Sequence, residues 1–95
     1  MKILIQQLIS CEALLRSVDE TFWADNIQSV LNRGESSIDI YLRREILSWY
    51  GGMGSFNDLI ISKYNDHLVE EKDEERLNDD LNQLRRDIYR EVARG

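Results

Sequence analysis

Three of the chain's five glycines, Gly51, Gly52 and Gly54, fall within four positions, and the sequence has no proline. Without proline, nothing in the covalent backbone forbids long helices on either side. The glycines concentrate conformational freedom in one place, the segment SWYGGMGSFNDLIIS at residues 48–62. Whatever this chain folds into has to be built from segments that meet at this corner.

The segments before the corner carry helical spacing. Leu4, Leu8, Cys11, Leu15 and Val18 repeat every three or four residues, with Ile5, Ile9 and Ala13 as a second stripe, so residues 2–18 read as a helix with neighbours on more than one side. Asp19 and Thr21 are candidate N-caps of a second helix whose stripe is Trp23, Ile27, Val30 and Leu31, ending at Gly34. Ser36 and Ser37 are candidate caps of a third, with Ile38, Leu42, Ile46 and Trp49 on one face and Ile40 and Leu47 on the other. Glu45 falls inside the main stripe. Its methylenes are expected to cover the stripe's edge while the carboxylate reaches water or an arginine such as Arg85 or Arg86.

Beyond the corner the period changes. Ile60 and Ile61, the turn formers Asn65 and Asp66, then Leu68 and Val69 outline a short β-hairpin. A fourth helix over residues 73–93 carries Leu77, Leu81, Leu84 and Ile88 as a seam with Val92 beside it, too short for a zipper. Residues 70–80 hold seven acids and two bases, and residues 81–95 hold four bases and two acids, an order that matches the helix dipole. The expected fold is therefore mainly α: one domain over residues 1–95, about four helices in a small bundle, with a short β-hairpin between the third and fourth.

Composition bounds the function. The net charge of −6 opposes general affinity for nucleic acid or anionic membrane and leaves a basic protein open as partner. No apolar run approaches the ~20 residues needed to cross a bilayer, and Gln6 and Gln7 interrupt the opening segment too early for a secretory signal, so the expected location is cytoplasmic. The single cysteine, Cys11, lies on an apolar face and reads as an inert core thiol. The single histidine, His67, sits in a polar turn with no second imidazole. Neither a metal site nor a Cys-His nucleophile pair is assigned, and no cofactor is implied.

As a phosphate cradle the corner has the wrong polarity, because its glycines follow a helix instead of opening one, and it lacks the lysine of a P-loop. As a joint it is well made: Gly51 or Gly52 closes the helix, Gly54 turns the chain, Met53 points inward, Phe56 covers the turn, and Ser55, Asn57 and Asp58 bond the loop's own N–H groups. The density of glycine and short polar side chains also fits close approach of a ligand or another backbone. Tyr50, Gly51, Gly52, Met53, Gly54, Ser55, Asn57 and Asp58 are therefore the candidate binding residues, with no catalytic residue among them.

The run Tyr50 to Leu59, YGGMGSFNDL, followed by the pattern Leu81, Leu84, Arg85, Ile88 and Tyr89, resembles a family of small bacterial proteins of unknown function, and Trp23 is similar to a tryptophan near that family's start. The likeness extends over about residues 20–93, with a departure in the polar segment 63–72. It implies a bacterial cytoplasmic domain and supplies no activity. Three functions stay open: a non-catalytic protein-interaction module, immunity-like in its most specific form; a small-molecule or enzymatic site at 51–58 using Ser55, Asn57 and Asp58; and self-association through the hairpin edge or the Ile40 and Leu47 face.

Overall fold

The computed structural model describes residues 2–34 and 38–94. Among the described residues there are four α-helices, α1 (Lys2–Ser17), α2 (Thr21–Arg33), α3 (Ile40–Ser48) and α4 (Glu71–Arg94), with two single 3₁₀ turns past the corner at Phe56–Asp58 and Lys63–Asn65. The helix α1 packs against α2 and α4, and α3 packs against α4. The core takes the stripes read from the sequence: Leu4, Leu8, Cys11, Leu15 and Val18; Ile27 and Val30 with Ala24; Ile38, Leu42, Ile46 and Trp49; Leu81, Ile88 and Val92. The second stripe of α1 contributes less, with Ile5 half-buried and Ile9 and Ala13 exposed.

The helix ends differ from their expected caps. Asp19 is not an N-cap. It takes a left-handed conformation (φ 62°) that closes α1, and the Glu20 N–H donates to the Leu15 carbonyl at 2.8 Å, the wide ring characteristic of such a closure. Glu20 itself caps α2, its carboxylate accepting from the Trp23 N–H. The Gly34 N–H donates to the Val30 carbonyl and ends α2 where expected. Asp39 caps α3 by accepting from the Leu42 N–H, while the expected caps Ser36 and Ser37 lie outside the described residues. Glu45 pairs with Arg33 of α2 at 2.5 Å, not with Arg85 or Arg86, so the ion pair joins α2 to α3.

The hairpin does not form: there is no β-strand among the described residues. The backbone groups that a second strand would have paired are taken by side chains. Asn78 of α4 accepts from the Ile61 N–H at 2.7 Å and donates to the Ile61 carbonyl at 2.8 Å, presenting the donor and acceptor of a neighbouring strand from one amide. Ser62 N–H donates to His67 Nδ1, Lys63 N–H to the Glu74 carboxylate, and Asn65 Nδ2 to the Ile60 carbonyl. Asp66 in the left-handed region (φ 63°) reverses the chain, and the Leu68 N–H donates to the Val18 carbonyl. Ile61 is buried and Ile60 and Leu68 are exposed, and an irregular loop anchored on α4 takes the place of the ladder, with side chains supplying partners for several of its backbone groups.

Candidate functional site

The corner is held by one aromatic ring and one guanidinium. Phe56 is fully buried, with its ring centroid 5.2 Å from Trp23, 5.9 Å from Trp49 and 5.8 Å from Tyr50. Arg85 of α4, also buried, donates from Nη1 to the carbonyls of Phe56 (2.6 Å) and Leu59 (2.9 Å) and from Nη2 to Asn82. Its guanidinium lies 5.8 Å from the Phe56 ring centroid. Burial pushes the Arg85 pKa down, and it makes no ion pair with a carboxylate among the described residues. Tyr50 completes the joint: its hydroxyl donates to the Arg85 carbonyl at 2.7 Å, and burial raises its pKa.

Around this joint the candidate residues separate into groups. Gly52 (φ 80°) and Gly54 (φ 74°) take the left-handed conformations the corner needs, and Gly51 does not. Met53 does not point inward: it is 99% exposed at the tip, because the buried place belongs to Phe56. Asp58 bonds the loop as expected, accepting from the Gly54 N–H at 3.0 Å. The Ser55 hydroxyl is buried without a hydrogen-bond partner among the described residues. Gly54, Ser55 and Asp58 line a shallow cleft of about 250 Å³ with Glu20, Trp23, Ile60 and His67. Tyr50 and Asn57 face a different opening, lined chiefly by α4.

His67 and Glu20 are among the cleft residues that lie outside the predicted set, since they come from the polar turn and the α1–α2 junction. His67 is buried, not solvated in its turn. Its Nδ1 accepts from the Ser62 N–H at 3.0 Å, which places the ring proton on Nε2, 2.9 Å from Glu20 Oε1. Both ring nitrogens are thereby engaged. A serine, a histidine and a glutamate share the cleft, but the nitrogen that would have to take the Ser55 proton is already occupied on each side, so His67 and Glu20 form a clamp between the α1–α2 junction and the 62–67 loop in which Ser55 takes no part.

Cys11 lies fully buried, and burial pushes its thiol pKa up from 9.0 to about 12, which keeps it protonated and unreactive at neutral pH. Among the described residues no group of three or more histidine, cysteine, aspartate or glutamate side chains is placed to hold a metal ion, and no helix is long and apolar enough to cross a membrane.

A family model described as a domain of unknown function, DUF6966, matches residues 16–70, more than half of the chain. The chain belongs to the DUF6966 family. No curated protein and no solved structure matches it. The DUF6966 match takes in every residue lining the shallow cleft, including Glu20, Trp23, Ser55, Asp58 and His67, and it ends just ahead of α4. The corner and its cleft thus belong to the shared part of the domain, whereas Arg85, which docks the corner, comes from outside it.

Proposed function

We propose that this DUF6966 domain is a non-catalytic protein-interaction module and that its partner-binding face is the one around the shallow cleft. The supporting observation is that the segments lining it carry several exposed large apolar side chains. Ile60, 58% exposed, lines the cleft itself. Met53, Phe22, Tyr64 and Leu68, between 67% and 99% exposed, each adjoin a lining residue in sequence. Exposed apolar groups gathered at one place mark interaction surfaces more often than isolated ones do, and methionine and aromatic residues are enriched in such contacts.

The charge at this face favours a basic partner. Asp58 is exposed, accepts from the Gly54 N–H with one carboxylate oxygen and makes no ion pair among the described residues, so a lysine or arginine of the partner entering the cleft would meet a carboxylate without a salt-bridge partner. The chain's net charge of −6 would speed encounter with such a protein, and the apolar rim would supply the affinity. An immunity-like role, with a basic toxin as that partner, is the most specific form of this reading. A catalytic site at 51–58 has weaker support, because His67 is committed on both nitrogens.

Site-specific photo-crosslinking in the native host tests the reading. A benzophenone amino acid at position 53 or 64 is expected to trap one discrete basic protein, with the same label at position 79 on α4 as control, and Asp58→Arg is expected to abolish the adduct. Absence of any adduct from 53 and 64, or the same adducts from position 79, would refute it. A product of twice the chain's own mass would reassign the face to self-association.

A further inference from the structure

The chain is acidic overall, yet one groove beside α4 has only positive charge in its lining. An open groove of about 760 Å³ is lined by Arg85, Arg86, Arg90 and Arg94 of α4, together with Tyr50, Tyr89 and Asn57, and no aspartate or glutamate is among its lining residues. Arg86, Arg90 and Arg94 recur every fourth residue and form one ridge, with about 6 Å of helix rise between successive Cα positions.

These arginines are only loosely committed. Arg90 lies 3.8 Å from Asp87 and Arg94 3.5 Å from Glu91, long pairs on the same helix in which the arginine is exposed and the carboxylate half-buried, and Arg86 makes no ion pair among the described residues. Arg85 is different: its Nη atoms are spent on Phe56, Leu59 and Asn82, so it is a fixed positive charge in the groove wall. The carbonyl end of α4 would ordinarily repel an anion. Here Arg43 donates to the carbonyls of Glu91 and Val92, both at 3.1 Å, and offsets that negative end.

The aromatic wall adds a second kind of recognition. Tyr50 is tied down by its bond to the Arg85 carbonyl and meets Tyr89 edge-on at 5.1 Å. Tyr89, 46% exposed, keeps ring surface available, and the exposed Asn57 amide makes no hydrogen bond among the described residues. Guanidinium groups bind phosphate in a bidentate manner, a tyrosine ring stacks on a flat heterocycle, and an amide reads a heterocycle's polar edge. We propose that the groove binds a small ligand in which a phosphate group is joined to a planar ring, the chemistry of a mononucleotide, with Arg86 and Arg90 on the phosphate and Tyr89 on the ring. The groove lies within the size range of small-ligand sites. A long polyanion fits less well, since the rest of this chain would repel it.

The test is a titration followed by backbone amide NMR, with AMP, adenosine, inorganic phosphate and a short single-stranded oligonucleotide as separate probes. AMP is expected to give saturable shifts at Arg86, Tyr89 and Asn57, and both adenosine and inorganic phosphate to bind at least tenfold more weakly. The exposed double variant Arg86→Gln, Arg90→Gln, with its helical circular dichroism unchanged, is expected to weaken AMP roughly tenfold or more. Tyr89→Leu is expected to weaken AMP while leaving the response to inorganic phosphate unaltered. The proposal is overturned by an absence of saturable AMP shifts at millimolar ligand, by shifts indifferent to the arginine substitutions, or by inorganic phosphate binding as well as AMP. It is equally overturned if the oligonucleotide binds with a steep salt dependence while AMP does not.

Discussion

The Arg85 guanidinium and the Phe56 carbonyl oxygen are 2.6 Å apart, and the same nitrogen reaches the Leu59 carbonyl, so one side chain of α4 holds both ends of the turn that follows the glycines. Arg85→Met keeps much of the packing and leaves both carbonyls without this donor. It is expected to cost about 2–4 kcal/mol in urea denaturation. Arg85→Lys is expected to recover less than half of that, because an ammonium cannot reproduce the planar fork. A loss below about 0.5 kcal/mol for Arg85→Met, the range of an ordinary surface change, would mean that the corner docks through Phe56 alone.

The three corner glycines are not equivalent, although a Cβ would fit sterically at each: at Gly51 it would meet only the Ser48 carbonyl oxygen at 3.9 Å, and at Gly52 and Gly54 nothing within 4 Å. Backbone conformation separates them. Gly52→Ala and Gly54→Ala place an L side chain at φ 80° and 74° and are each expected to lower stability by about 1–2 kcal/mol, while Gly51→Ala is expected to be neutral or slightly stabilising. Thermal denaturation of the three single variants checks the order.

Glu20 serves two partners at once, the Trp23 N–H at the start of α2 and His67 Nε2 in the distant loop. Glu20→Ala is expected to cost about 1–2 kcal/mol through the lost cap alone. Combined with His67→Ala in a double-mutant cycle, it should show a coupling of at least about 0.5 kcal/mol. Additive losses would mean that the two residues act as separate local caps. Long-range ¹H–¹⁵N correlation of the imidazole is expected to find the proton on Nε2.

The buried thiol makes stability depend on alkaline pH. Below pH 9 Cys11 is protonated whether the chain is folded or not, so its contribution is fully present. As pH rises from 9 towards 12 the unfolded thiol loses its proton while burial keeps the native one protonated, and stability falls through that window. Tyr50, whose pKa burial also raises, adds to the fall in the same direction. Cys11→Ala is expected to start from a lower stability and to decline less steeply between pH 9 and 10.5; parallel slopes by urea denaturation would contradict the assignment. At neutral pH iodoacetamide is expected to modify Cys11 only in denaturant.

Helical periodicity made the four helices and most of the core legible, because the spacing of Leu4, Leu8, Cys11 and Leu15, or of Leu81 and Ile88, states which side of a helix must leave water whatever the partner turns out to be. The corner was legible for a related reason: only glycine takes the conformations of residues 52 and 54 cheaply. Much else depended on groups brought together from far along the chain. The segment from Ile60 to Val69 has the local pattern of a hairpin, yet Asn78, seventeen residues from Ile61, supplies the bonds a second strand would have supplied. Arg33 claimed Glu45, Phe56 took the buried place expected for Met53, and α4 placed its arginines beside Tyr50 and Asn57. By itself the sequence determined which faces are buried and where the chain turns, since those follow from side-chain spacing and backbone freedom. The tertiary structure alone decided which polar groups meet, and with them the clamp, the cleft and the cationic groove, because a hydrogen bond or ion pair needs distance and direction that exist only once the helices have packed.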